Sequence, residues 1–325
     1  MSAIVSSPAT PSQQPAEIAA KAHHNKHGKG FINPWPSYQE QSGPQIMGKI
    51  LKMRVTGQWK DPDTTPPTVP IVKPHFLPTR QTEKLRATWL GHACYYVEFP
   101  GGLRVLFDPV FTERCSPFTK HMGLDDTHVT EMDWWEEKQI TLSPSSQPGS
   151  TDQIQQDISA TIGCLPCQHT SARTAFDKAH TLWASWSITS GDRKIWFGGD
   201  TGYRTVPSLP AEEFDYGEKY SDLPHCPAFA QIGELRGPFD LGLIPIGAYD
   251  PRSIMSPMHA NPYDSVNIFV DTKCKKALGI HWGTWVLTSE EVMEPPKVLK
   301  KALKWKGVEK DRFETCDIGE SREID

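Results

Sequence analysis

No stretch of this 325-residue chain approaches the roughly 18–20 consecutive apolar residues of a membrane-spanning helix. Its N-terminus also lacks the apolar core of a secretory signal. A basic excess is missing too: 34 Lys and Arg stand against 39 Asp and Glu, for a formal net charge of -5. Phosphate binding needs a basic surface, so nucleic acid is excluded as the main partner. There is no Gly-x-Ser-x-Gly and no Gly-x-x-x-x-Gly-Lys loop, which removes the serine-hydrolase and phosphate-loop readings. The seven cysteines form an odd count. Reduced thiols and an intracellular setting, cytoplasmic or peripheral to an internal membrane, are therefore the expectation. Cys164-Leu165-Pro166-Cys167 has redox or zinc-ribbon spacing but no second cysteine pair. Cys164 lies in an apolar strand pattern, so a buried structural thiol is expected.

What the chain does have is 29 prolines and 11 tryptophans. They point to rigid loops and to large aromatic surfaces able to line an apolar cavity. Residues 1–30 are rich in Ser, Ala, Pro, Gln and Lys without a period and read as a disordered tail. His23, His24 and His27 are expected there as solvated side chains rather than as a metal site. Residues 31–84, opening with Phe31-Ile32-Asn33-Pro34-Trp35-Pro36, are expected as an extended arm and loops packed on a core. Residues 85–325 are long enough for one large α/β domain. Short strand-like runs occur at 87–90, 95–99 and 103–107, with Pro100-Gly101-Gly102 as a turn. A helix opens at Asn261-Pro262-Tyr263 and runs to about Lys275, and another spans 296–306. The latter has Val298, Leu299, Ala302 and Leu303 on one face and Lys297, Lys300, Lys301 and Lys304 on the other. It is expected to dock on the core with its lysines solvated; contact with an anionic membrane is the alternative.

Three further strands end in ligand-type side chains. Residues 160–165 run into Pro166-Cys167-Gln168-His169, residues 194–197 into Gly198-Gly199-Asp200-Thr201-Gly202, and residues 277–280 into His281-Trp282-Gly283. Neutral imidazole and carboxylate are donors that a hydrolytic Zn²⁺ takes, and α/β folds collect such groups at strand ends. A fourth run, 241–246, ends in Gly247-Ala248-Tyr249-Asp250-Pro251, and 103–107 ends at Asp108-Pro109. Between the strand at 103–107 and the next strand there is no convincing crossover helix. A connecting unit is expected to be missing near Lys120 and His121.

These segments resemble the metallo-β-lactamase superfamily and, within it, the N-acylphosphatidylethanolamine-hydrolysing phospholipase D family. The resemblance rests on 31–36, Thr88-Trp89-Leu90-Gly91-His92-Ala93, Leu106-Phe107-Asp108-Pro109-Val110-Phe111, Asp133-Trp134-Trp135-Glu136-Glu137, 166–169, Trp183-Ala184-Ser185-Trp186-Ser187, 197–203, 244–252 and 280–284. They keep the family's order and cover nearly everything after residue 30. The resemblance implies an α/β fold, a metallo-β-lactamase-like αβ/βα sandwich, incomplete near residue 120, with a two-zinc site on one rim. It implies His169, Asp200 and His281 as metal ligands, with Asp200 bridging the zincs and orienting the chemistry. Asp108 and His92 would support the site, and His259, in a loop beside the cleft, would touch substrate or else merely precede a helix. The family's His-x-His-x-Asp-His, which supplies three or four ligands, is absent. His121-Met122-Gly123-Leu124-Asp125-Asp126-Thr127-His128 has the wrong spacing to replace it. The chain is therefore expected to hold at most one zinc.

By resemblance, the function is zinc-dependent, phospholipase D-type hydrolysis of N-acylphosphatidylethanolamine to N-acylethanolamine and phosphatidic acid. The partners would then be a phospholipid substrate and a membrane surface touched peripherally, with a homodimer left open. That chemistry asks for a metal that activates water and polarises a phosphoryl oxygen. The rival is a catalytically silent or truncated relative that binds lipid or a partner without turnover. Another phosphodiesterase or lactone hydrolase of the superfamily is a third reading.

Overall fold

The computed structural model describes residues 2–10, 12–110, 129–144, 156–172, 174, 176–210 and 213–325. The expected junction at Lys120 and His121 lies outside them.

Two sheets face each other across one apolar core. The smaller is antiparallel. β2 (Leu85–Trp89), β3 (Tyr95–Glu98) and β4 (Arg104–Phe107) form a meander, and β12 (Ser321–Ile324) pairs with the free edge of β2. Alternation divides its faces. Leu85, Ala87, Trp89, Tyr95 and Val97 are fully buried in the core. On the other face, Arg86 Nη1 donates to Glu98 Oε2 at 2.6 Å and Arg86 Nη2 to the His75 carbonyl at 2.6 Å. A loop therefore roofs this face, with the buried ion pair beneath it.

The larger sheet has eight strands in the order β1 (Ser2–Ser6), β5 (Glu137–Ser143), β6 (Ile158–Leu165), β7 (Ser185–Ser190), β8 (Arg193–Phe197), β9 (Phe239–Pro245), β10 (Cys274–Ile280) and β11 (Phe313–Glu314). Pairing is antiparallel from β1 to β8 and parallel from β8 to β11. Every residue of β9 is buried, as expected of a parallel strand covered on both faces. Phe107 of β4 stacks on Phe197 of β8 at 4.8 Å between ring centroids, joining the two sheets. Trp89 and Trp196 are both fully buried, and truncating such a side chain to alanine costs about 3–5 kcal/mol.

Besides the one-turn helices α1 (Ala16–Ala19) and α4 (Arg252–Met255), α5 (Pro262–Asp271) packs on the parallel strands β9 and β10, and α3 (Ala228–Leu235) and α6 (Glu294–Lys306) pack against α5. α5 starts with a reciprocal cap: Asn261 accepts from the Asp264 amide and Asp264 from the Asn261 amide, with Pro262 at the first helical position. α6 buries Leu299, Ala302 and Leu303 and ends at Gly307, whose φ of 72° suits glycine. This is a metallo-β-lactamase-like α/β sandwich.

Two stretches depart from expectation. Residues 1–30 are not uniformly disordered: β1 pairs with the edge of β5 from Ser2↔Ser143 to Ser6↔Gln139. All five of its side chains are exposed, so backbone bonds to an edge strand hold it, and those leave no mark in a hydrophobic pattern. His23 is also no solvated residue, being only 1% exposed. Within 31–84, α2 (Gly43–Val55) is a full helix, capped reciprocally by Ser42 and Gln45. None of its residues is buried, so it carried no amphipathic signal against the core. Among the described residues, no helix is long and apolar enough to cross a membrane.

Candidate metal centre

Chain direction collects the site. β7 runs against both β6 and β8, so β6 and β8 point the same way, and β9 and β10 are parallel to β8. Residues that follow β6, β8 and β10 therefore emerge on one edge of the sheet. These are His169, Asp200 and His281. The loop between β9 and α5 adds His259, and the turn after β2 brings His92 from the small sheet.

His281 Nε2 lies 3.1 Å from Asp200 Oδ1. The His281 ring is 4.2 Å from that of His92 and 5.1 Å from that of His259, and His259 is 5.2 Å from His169. Asp108 and His169 share with Asp200 the wall of a cavity of about 520 Å³, otherwise lined by Trp183, Trp186, Phe197, Leu182 and Ile162 among others. On the other side, His92 and His281 line a cavity of about 240 Å³ with Trp285, Val286, Leu287 and Glu290.

The backbone here is strained. His92, Asp108, Ala248 and His281 all have positive φ, at 51°, 40°, 61° and 62°. Non-glycine residues in that region cost on the order of 1–3 kcal/mol each and cluster where function demands the geometry. Cross-links hold them. The His281 amide and Trp89 Nε1 both donate to the His92 carbonyl at 2.9 Å, and the His92 amide donates to Thr284 Oγ1 at 2.6 Å. His92 thus supports His281 through its main chain. Glu290 accepts from the amides of Ala248 and Asp250 at 2.5 and 3.1 Å. The His169 ledge is fixed by Gln168, whose amide donates to Thr201 Oγ1 at 2.9 Å and whose side-chain Nε2 donates to the Pro257 carbonyl at 2.9 Å. Asn33 Nδ2 donates to the His169 carbonyl at 2.8 Å. Gln168, Glu290 and Asn33 carry no spacing that would reveal these roles in the sequence.

Electrostatics splits the imidazoles. Burial, with the nearby His281, drops His92 to about 3. Burial, with His281 and His169, holds His259 well below its ordinary value. Both are neutral at pH 7, with lone pairs available. Burial also works against charge on His281, but Asp200 and Asp108 outweigh it and raise its pKa. Burial likewise opposes ionisation of Asp200; His281, His169 and His259 outweigh that and hold its carboxyl well below the carboxylate range. Asp200 is one-third exposed towards the cavity, so solvent screens part of this attraction.

The donors fit a cation. Ligands at 2.0–2.1 Å in a tetrahedral zinc site stand roughly 3.3 Å apart, close to the 3.1 Å between His281 Nε2 and Asp200 Oδ1. His281 Nδ1 and His259 Nδ1 are buried with no hydrogen-bond partner among the described residues. The expected trio of ligands is only partly assembled. Asp200 and His281 meet; His169 lies on the same rim without closing on both. Among the described residues, the one trio of His, Cys, Asp or Glu whose ligand atoms all fall within 4.8 Å is His23, His24 and Asp133.

Comparison with known proteins identifies the family. An N-acyl-phosphatidylethanolamine-hydrolyzing phospholipase D of Caenorhabditis elegans is 29% identical, over 91% of this chain and 92% of the relative. That alignment runs over 356 positions, of which 91% of the 325 residues here fill about 296, so about sixty positions have no counterpart in this chain. A mitochondrial N-acyl-phosphatidylethanolamine-hydrolyzing phospholipase D of Saccharomyces cerevisiae is 28% identical over 73% of this chain and 56% of its own length. Among solved structures, a metallo hydrolase of Ignicoccus hospitalis covers 74% of this chain and 99% of its own, at 14% identity and a TM-score of 0.42. The family description "Beta-lactamase superfamily domain" matches residues 108–215 and 220–282, which take in Asp108, His169, Asp200, His259 and His281. The chain belongs to the metallo-β-lactamase superfamily.

Proposed function

We propose that this hydrolase-family chain is a zinc-dependent phosphodiesterase of the phospholipase D type, acting on N-acylphosphatidylethanolamine. Water adds across the phosphorus–oxygen bond on the ethanolamine side, its oxygen going to phosphorus and a proton to the departing alkoxide. The products are phosphatidic acid and an N-acylethanolamine. The observation that carries this reading is the His281–Asp200 pair on the rim of a cavity walled by Trp183, Trp186 and Phe197. Cation-binding donors stand beside an apolar volume within the size range of ligand sites. The names of the two aligned phospholipases D supply the substrate class.

Asp200, His281 and His169 would hold the metal, with Asp108 adding negative charge. A metal there supplies Lewis-acid polarisation of a phosphoryl oxygen. The chain's own contribution is to keep His92 and His259 neutral, to fix His281 through the His92 carbonyl, and to shelter acyl chains in the aromatic cavity.

Lipid binding without turnover is the second reading, favoured by the missing His-x-His-x-Asp-His. The full chain, loaded with zinc and mixed with N-acylphosphatidylethanolamine in detergent micelles, separates the two. Zinc-dependent release of N-acylethanolamine, lost in Asp200→Ala, supports hydrolysis. Retention of the lipid with no release at any zinc concentration establishes the second reading.

A further inference from the structure

None of the three residues that form the close trio belongs to the rim just described. Near the N-terminus, two adjacent imidazoles meet one carboxylate. His23 Nε2 is 2.7 Å from Asp133 Oδ1, and His24 Nε2 is 2.8 Å from Asp133 Oδ2. We propose that His23, His24 and Asp133 form a second divalent-cation site, of the zinc class, that fastens the N-terminal arm to the body of the domain.

The donor set is one that zinc-class cations take: two imidazoles and a carboxylate, with all ligand atoms within 4.8 Å of one another. Each imidazole faces a different oxygen, so a cation would take the place of the shared protons with a small widening of the contacts. His23 is 1% exposed and stacks on Trp134 at 4.4 Å, which fixes its ring. His24 and Asp133, at 37% and 21% side-chain exposure, leave one side open to water for the remaining position.

The arm beyond this clasp reaches the rim. The Ile32 amide donates to the His23 carbonyl at 2.8 Å, and Trp35 stacks on Trp134 at 5.3 Å. Asn33 then holds the His169 carbonyl, and Ser37 Oγ donates to Gln168 Oε1 at 2.6 Å. A cation in the clasp would steady the ledge that carries His169. The resident competitor is Lys21, whose Nζ lies 3.7 Å from Asp133 Oδ2.

The proposal stands apart from the phosphodiesterase reading, and its test uses the full chain with the rim silenced by Asp200→Ala. Metal-stripped protein is titrated with Zn²⁺ alone, following stoichiometry and affinity by calorimetry. The Asp200→Ala chain is expected to bind one zinc. Adding His24→Ala should weaken that binding by more than about 100-fold, since loss of even an outer partner of a metal ligand typically costs 10–100-fold. Adding Lys21→Ala instead should tighten it about fivefold, the Coulomb effect of one charge at this range in water. His24 is partly exposed, and a gain of affinity cannot come from misfolding. No zinc uptake by the Asp200→Ala chain, or an affinity indifferent to both His24→Ala and Lys21→Ala, would overturn the proposal and leave the trio as a hydrogen-bonded clasp.

Discussion

Asp200 and His281 face each other 3.1 Å apart from the ends of two parallel strands, with β9 between them. In the metal-free protein Asp200 favours a proton on His281, which a cation bound by the pair would have to displace.

That relationship sets the pH response of the metal-free chain. His281 has a folded pKa above its ordinary 6.5, so its contribution to stability is fully present below 6.5 and is lost as pH rises through the raised value. Asp200 has a folded pKa below its ordinary 3.8, so its contribution is present above 3.8 and is lost on acidification. The pair stabilises most between about pH 4 and 6.5. Urea melts of stripped protein should show stability falling from pH 6.5 towards 9, with Asp200→Asn flattening the slope. An equally steep slope in the variant refutes the pairing.

Metal binding should reverse that slope, because zinc needs the deprotonated imidazole. With His24→Ala present to silence the clasp, zinc uptake at the rim should rise from pH 6 to 8 and release protons. Asp200→Ala should abolish it. Unchanged zinc content in that variant sinks the assignment of Asp200.

Gly202 is a packing requirement. A Cβ there would stand 2.3 Å from the Pro257 carbonyl oxygen, and the Gly202 amide donates to Gln168 at 2.8 Å. Gly202→Ala should destabilise by about 1–3 kcal/mol through backbone shifts and weaken zinc uptake together with stability. Chemical denaturation alongside a zinc titration reads both. Loss of neither would mean that the two loops move independently.

Glu98 is 2% exposed and bonded to Arg86, with Arg104 Nη2 3.4 Å away. Glu98→Ala leaves the Arg86 guanidinium buried and unpaired, at a cost of about 3–5 kcal/mol. Glu98→Gln should recover part of it. Equal stability of the wild type and Glu98→Ala in urea melts would contradict the burial of this pair.

Much of the fold was legible because the core strands are short apolar runs bounded by glycine and proline. The expected 160–165, 194–197, 241–246 and 277–280 appear as β6, β8, β9 and β10, each starting one to three residues earlier. The helix expected to run to Lys275 stops at Asp271, because Lys273 takes a φ of 57° and Cys274 begins a strand. β1 and α2 were not legible: one is held by edge bonds and the other packs no residue into the core. His169, Asp200 and His281 could be picked out as polar residues after apolar strands, but the approach of His259 and His92 to His281 depends on tertiary packing. The clasp is not legible in the sequence, because nothing near His23 announces Asp133.

The position of β7, alone between β6 and β8 and antiparallel to both, has a consequence for how this chain can change. The polypeptide reverses once entering β7 and once leaving it, and the two reversals cancel. Only an even number of reversals between β6 and β8 keeps His169 and Asp200 on the same edge of the sheet. The chain can therefore gain a hairpin in this region without losing its site, whereas one extra or missing strand would carry half the ligands to the opposite rim. Parity, more than length, is what an insertion there must respect.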